Sequence, residues 1–447
     1  MGLRKRGLPA FAGRIWVPVA ATLLISIATP IVQAAESDDD DAALSLADKT
    51  EDKAEKSADW HVYVEGALRE SSRQGAGLAL HGQRLSLDAR YDATIAPSLR
   101  AVFADRIDMF RSDASVPGAS GNQSVSTLKE AYLSWQAAPD RIADLGRINV
   151  RNGVGVGYNP TDFFRAGAVR SVVSLDPSSL RENRLGSAML RGQALWEGGS
   201  VTGIFSPKLA SQPSGAPFSP DWGATNNRDR WQMALGQKVT ENLSPQWLLS
   251  GGAGLPTQLG FNLSALVNDA TVVYVEWSGG RSPSLLTQAA VNPFTLPAAL
   301  RRGDDSAFRS RLASGLTYTT TSNITFTAEY EYNGAGLAQS DWNALARSPL
   351  AYAAYRAYAA TLQDPPTRQA LFLYALWQDV GIRHLDLTAF MRYDVEDHSR
   401  LQWLEARYHW PKVDLALQAQ LNSGTPFSNY GALPERRAWQ TVLRYYF

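Results

Sequence analysis

The chain of 447 residues contains no cysteine. That excludes a disulfide framework and any thiolate metal centre. Histidine is scarce as well: His61, His81, His384, His398 and His409 are the whole set. No two of them stand at a metal-ligand spacing, so neither a metal nor another cofactor is expected. Lysine plus arginine equal aspartate plus glutamate, at 43 each, and the bulk charge leaves no footprint for nucleic acid. Beyond the N-terminal region, no run is long and apolar enough for a transmembrane helix.

The N-terminal region reads as targeting sequence. Arg4, Lys5, Arg6 and Arg14 form a basic start, and Ile15–Ile31 forms an apolar segment broken by Pro18 and Pro30. Val32-Gln33-Ala34 supplies small residues for cleavage, with Ala35 the alternative site. A membrane anchor is the competing reading, but the segment is short. Residues 1–34 are therefore expected to be a signal peptide. Residues 35–58 are dense in charge, including Asp38–Asp41, and lack aromatics. Such a segment cannot bury enough surface to fold alone and is expected to be a disordered lead-in.

Residues 59–447 are almost entirely alternating segments joined by turns. Trp60, Val62 and Val64 alternate with His61, Tyr63 and Glu65. Val413, Leu415, Leu417, Ala419 and Leu421 alternate with Asp414, Ala416, Gln418, Gln420 and Asn422. A period of two places one set on each face of a strand. Counting such segments gives about eighteen strands, with sixteen as the alternative. The 13 Trp and 17 Tyr stand often near segment ends, including Trp60, Trp135, Trp196, Trp377 and Trp410, as interfacial aromatic girdles require. A soluble sandwich would alternate too, and period alone does not say which face looks outward.

The last segment, Trp439–Phe447, weighs for closure. Trp439, Thr441, Leu443, Tyr445 and Phe447 share one face, and the chain ends on the aromatic. As a sheet edge this strand would invite aggregation; paired with the first strand it has no free edge. The ending resembles the C-terminal strand of bacterial outer-membrane β-barrels. That resemblance implies an outer-membrane location, contact with its lipid, and recognition of Phe447 by the barrel insertion machinery. The fold expected is all-β, a single transmembrane antiparallel barrel with long extracellular loops and both termini periplasmic.

Two stretches depart from alternation. Arg151–Leu185 carries Gly153, Gly155 and Gly157, then Tyr158-Asn159-Pro160-Thr161-Asp162-Phe163-Phe164-Arg165. Connections this long are usually functional. The glycines lack the spacing of a dinucleotide fingerprint, but they let the backbone turn close to a wall. Phe163 and Phe164 can pin the turn. The second stretch, Asn333–Arg368, opens Asn333-Gly334-Ala335-Gly336 and is expected to hold one or two short helices stopped by Pro365-Pro366. Leu145-Gly146-Arg147, the glycines and Tyr158–Phe164 resemble the constriction region of the alginate-export-like and porin-like barrels of proteobacterial outer membranes. The usual Trp ahead of that turn is replaced here by Arg151-Asn152.

On this reading the chain is a channel that passes small hydrophilic solutes, anions among them, by diffusion or facilitated diffusion. Gly153, Gly155, Gly157, Tyr158, Asn159, Pro160, Phe163 and Phe164 form the constriction loop. Arg147, Arg151, Asp162, Arg165, Arg170, Arg181 and Arg184 are expected to line the pore, joined by Arg392, Arg407 and Arg444 from later strands. The alternative for each is an ion pair that only holds the loop folded. A barrel plugged by its own loops is the second reading. A barrel enzyme is the third, with Ser399 beside His398 its weak candidate pair.

Overall fold

The structure, a computed structural model, describes residues 59–73, 79–112, 123–289, 296–301 and 305–447. The expected signal peptide and lead-in lie outside these residues.

The strands are β1 (Trp60–Arg73), β2 (Ala79–Ala96), β3 (Leu99–Ser112), β4 (Gln123–Ala138), β5 (Arg141–Ile148) and β6 (Ser187–Trp196). They continue as β7 (Gly199–Ser206), β8 (Arg230–Gln237), β9 (Gln246–Gly252), β10 (Leu255–Asn268), β11 (Thr271–Ser282) and β12 (Ala307–Thr319). The last six are β13 (Ile324–Asn333), β14 (Gln369–Trp377), β15 (Leu385–Asp394), β16 (Arg400–Trp410), β17 (Val413–Ser423) and β18 (Glu435–Tyr446). Together they form one 18-stranded sheet. Each strand pairs antiparallel with its neighbours in sequence, and β1 pairs with β18 from Tyr63↔Tyr446 to Arg73↔Glu435. The sheet is thus a closed barrel of eighteen strands, the count expected ahead of its alternative of sixteen. Helices among the described residues sit only in connections: α1 (Pro177–Glu182), α2 (Trp222–Thr225), α3 (Leu285–Gln288), α4 (Gln339–Leu345) and α5 (Pro349–Leu362). The last two are the pair expected ahead of Pro365-Pro366. No described helix is long and apolar enough to cross a membrane.

The barrel is inside-out relative to a soluble sandwich. Leu145, Leu190, Leu259, Leu404, Leu417 and Leu443 are exposed on the outer face. Glu65, Arg106, Asp144, Glu276, Glu329 and Glu405 are buried on the inner one. An apolar outer belt around a polar lumen is what a hydrocarbon surround demands. Trp60, Trp135, Trp196, Trp247, Trp377, Trp410 and Phe447 stay exposed near one end of the barrel, the end of the short turns at Pro97-Ser98, Pro139-Asp140 and Pro411-Lys412. The long connections 149–186, 207–229 and 334–368 leave from the opposite end.

The closure seam is stitched by charge. The carboxylate of Glu65 on β1 accepts from Arg84 on β2, from Arg106 on β3 at 2.9 Å and from Arg444 on β18 at 3.0 Å. Arg106 also donates to Asp108 at 2.9 Å. Removing one partner from such a buried set typically costs about 3–5 kcal/mol, because it strands the others.

The two faces of β17 separate experimentally. Leu417→Arg puts a charge on the outer belt and should cost about 2–4 kcal/mol near mid-depth. Gln418→Arg faces the lumen beside Glu405 and should cost far less. A urea titration of folding into lipid vesicles reads the difference; equal cost for both would contradict the inward and outward assignment.

Candidate functional site

Strand β5 stops at Ile148, and its continuation turns into the barrel instead of out of it. The turn is a problem of unsatisfied amides. Wall strands spend their N–H groups on each other, so an inward loop must find its own acceptors. Two lumen carboxylates provide them. Glu276 on β11 accepts from the N–H groups of Val154 (2.9 Å), Gly155 (2.9 Å) and Thr161 (2.8 Å). It also accepts from the Thr161 hydroxyl at 2.8 Å and the Asn159 amide at 3.2 Å. Glu329 on β13 accepts from the N–H groups of Val156 (2.8 Å) and Tyr158 (2.8 Å), and from the Tyr274 hydroxyl at 2.7 Å. The loop therefore lies on the β11–β13 wall with its backbone against the acids. Gly153 has φ 104°, and a Cβ there would sit 2.5 Å from the Glu276 oxygens. At Gly157 a Cβ would sit 2.6 Å from Phe372 Cγ. Only glycine permits this approach.

Beyond the turn the loop docks on the 334–368 connection. Asp364 receives Arg165, the Tyr158 hydroxyl at 2.9 Å, and Arg311 Nε at 3.5 Å. Burial raises the Asp364 carboxyl, but Arg165 and Arg311 outweigh it and hold it below the ordinary carboxylate range. Burial and then the Asp364 charge push the Tyr158 hydroxyl well above its usual value. The connection itself is pinned by Asn333, whose amide donates to Pro365 O at 2.7 Å and whose carbonyl accepts from Ala335 N at 3.1 Å. Phe164 closes an apolar cluster with Ile148, Val150, Met189 and Ile204. The loop then crosses to the far wall, where Val173 O accepts from Arg84 at 2.9 Å. Helix α1, capped by Asp176 at Ser179 N (3.1 Å), ends with Glu182 Oε1 3.7 Å from Lys129 Nζ on β4.

The arginines named from sequence divide by their partners. Arg184 is 2% exposed and is held by Asp162 Oδ2 at 2.8 Å and by Val150 O at 2.7 Å. Arg165 is taken by Asp364. Arg170 braces the 123–138 strand to the 207–229 connection through Ser126 O (2.7 Å) and Ser219 O (2.9 Å). Arg181 donates to Asn152 O at 3.1 Å. Arg392 donates to Gly157 O and lies 3.3 Å from Glu331. Arg407 pairs with Glu405 at 2.8 Å and Arg444 with Glu65 at 3.0 Å. Arg147 is a correction. Asp144 turns inward to Arg191 at 2.7 Å, so Arg147, three residues on, shares the outward register of Leu145. It is buried under the Trp222 ring of α2 at 4.2 Å rather than facing the lumen. Arg151 differs from all of these: it is exposed, with no hydrogen bond or ion pair among the described residues.

Sequence reasoning missed Glu65, Arg84, Arg106, Lys129, Glu276 and Asp364 as members of this site. For those on strands the signal was present, since each occupies the polar face of its alternation. Asp364 had none. The pair Ser399 and His398 does not act as a couple: the Ser399 hydroxyl accepts from Tyr430 N at 3.1 Å, and His398 Nδ1 meets the Tyr393 hydroxyl at 2.9 Å.

Where loop meets far wall, a lumen cavity of about 110 Å³ remains, lined among others by Asp88, Arg90, Lys129, Glu130, Arg151 and Glu182.

No family model matches the chain, and no curated protein matches it. Solved structures do. The chain superposes on Acinetobacter baumannii OccAB1 with a TM-score of 0.53 at 9% identity, covering 87% of this chain and 96% of that one. Pseudomonas aeruginosa OccK2 (OpdF) matches with a TM-score of 0.53 at 9% identity over 87% and 98%. The same protein in complex with glucuronate matches with a TM-score of 0.51 at 9% identity over 87% and 97%. At that identity the likeness is one of fold.

Glu276→Ala removes the acceptor of several loop amides at once, each worth about 1–3 kcal/mol when left unsatisfied and buried. Amide exchange across residues 153–161 should accelerate while exchange in β11 and β12 stays slow; unchanged protection of the loop would show that Glu276 does not seat it. The Asp364 dock has a pH dependence of definite sign. Its carboxyl is lowered on folding, so the stabilisation is complete above the ordinary value of about 4 and is lost as pH falls through the lower folded value. Proteolysis of residues 360–368 should therefore stay slow at neutral pH and rise only under strong acid, and Asp364→Asn should abolish that pH step.

Proposed function

We propose that the chain is an outer-membrane channel for small hydrophilic solutes, carboxylates among them, which cross by diffusion or facilitated diffusion. The observation that carries this reading is the narrow polar cavity at the loop–wall contact with Arg151 unpaired at its edge. Paired charges cancel at short range, while a guanidinium with no partner keeps its field for a passing solute. The apolar belt and aromatic rows support a membrane position, with the short-turn end and both termini periplasmic and Phe447 available to the insertion machinery. The solved barrels with Occ and Opd names support the porin-like side of the resemblance, and one of them is a complex with glucuronate.

One observation favours a second reading. The loop reaches the far wall at Arg84 and approaches it at Lys129, as it would in a barrel plugged by its own loop. Planar bilayers distinguish the two. A channel gives ohmic conductance steps, and Arg151→Ala should shift the reversal potential in a salt gradient towards cations. Folded native protein that never conducts would establish the plug, and an unshifted potential would remove Arg151 from selectivity.

A further inference from the structure

The outer face of the barrel changes character towards the loop end of β16, β17 and β18. Lower down it is the apolar belt, with Leu404, Leu421 and Trp439 exposed. Above them the same face carries Arg400 on β16 and Arg437 on β18, both exposed. Their outward direction follows from the period of two, since Arg400 shares a face with Leu404 and Arg437 with Trp439. Arg437 stands opposite Leu421 of β17, and Arg400 stands opposite Ser423, two residues further along that strand. The two arginines thus flank β17, with Cα atoms about 12 Å apart by strand spacing and rise, and their side chains are long enough to meet over it. Arg400 already leans that way, because its Nε donates to the Ser423 hydroxyl at 3.2 Å. Both of its Nη groups stay free among the described residues, and Arg437 has no hydrogen bond or ion pair among them.

Nearby acids do not supply the missing partner. Glu435 is taken by Arg69, and Asp397 accepts from the N–H groups of Ser399 and Asn429. Glu70 on β1 is exposed opposite Trp439, one step nearer the belt than Arg437, and makes no ion pair among the described residues. It is one acid against Arg400 and Arg437.

We propose that Arg400 and Arg437 form a seat for the phosphate of a membrane lipid in the leaflet at the loop end. The inference rests on the membrane placement proposed above and adds to it a lipid of stated chemistry. A guanidinium holds phosphate through paired N–H donors, so two forks over β17 grip one phosphate from both sides. The acyl chains of the same lipid then lie on the belt at Leu421 and Trp439. A phosphate already offset by an ammonium in its own headgroup gains less from the same arginines.

Diphosphoryl lipid A and the same lipid stripped of its phosphates test the seat, since they share sugars and acyl chains. Native mass spectrometry of the full folded barrel released from neutral detergent reads bound lipid. The unmodified barrel should retain the diphosphoryl form at lower concentration than the stripped form. Arg400→Gln combined with Arg437→Gln should weaken the diphosphoryl form about fivefold, the size of two exposed charge pairs, and leave the stripped form unchanged. Each single substitution should fall between. Arg281→Gln removes another exposed outer-face arginine, on β11 opposite Phe308, and should change neither. Retention of the heat-modifiable folded band on gels confirms that each variant is assembled. Equal retention of the two lipids by the unmodified barrel, native retention by the double variant, or an equal loss in Arg281→Gln would overturn the seat and leave the channel reading standing. A folded, unmodified barrel that does not insert into lipid vesicles overturns the membrane placement, and the seat with it.

Discussion

Every peptide amide in a barrel wall is satisfied by a neighbouring strand, and that leaves nothing for a segment that folds inward. The lumen loop of this protein exists because Glu276 and Glu329 accept its backbone N–H groups from the side of the wall. The rest follows from that contact. The backbone must come close, so residues 153 and 157 are glycine. The acids must stay put, so Tyr274 braces one and Asn159 and Thr161 brace the other. Because the loop is seated on the β11–β13 wall, it can reach across and leave its narrow gap against β1–β4.

Charge in the lumen has two distinct tasks. Most arginines are structural clamps. Arg84, Arg106 and Arg444 converge on Glu65 and tie the first three strands to the last. Arg165 and Arg184 fold the loop onto Asp364 and Asp162. A clamped charge is offset by its partner and contributes little field in the passage. Among the arginines named from sequence, Arg151 alone has no hydrogen bond or ion pair among the described residues.

Much of the architecture was legible in order. Alternation located all eighteen strands, and the aromatic ends and the two long departures were visible as such. That residues 153–157 turn close against a wall was legible from their glycines, and the helices before Pro365 from their stop signal. The roles of the arginines were not legible. Arg165 meets an acid 199 positions away in sequence, and no local pattern encodes such a meeting. Arg147 was expected on the lumen face of its strand, where the inward residue is Asp144.

The sequence by itself determined period, strand number to within a pair, and the positions where regularity breaks, because side-chain alternation and turn chemistry are local. Which face looks outward and which charges are spent on one another were decided only when the sheet closed and the loop folded across it. Those are contacts between residues far apart in the chain, and their energies depend on distance and burial that exist only in the assembled barrel.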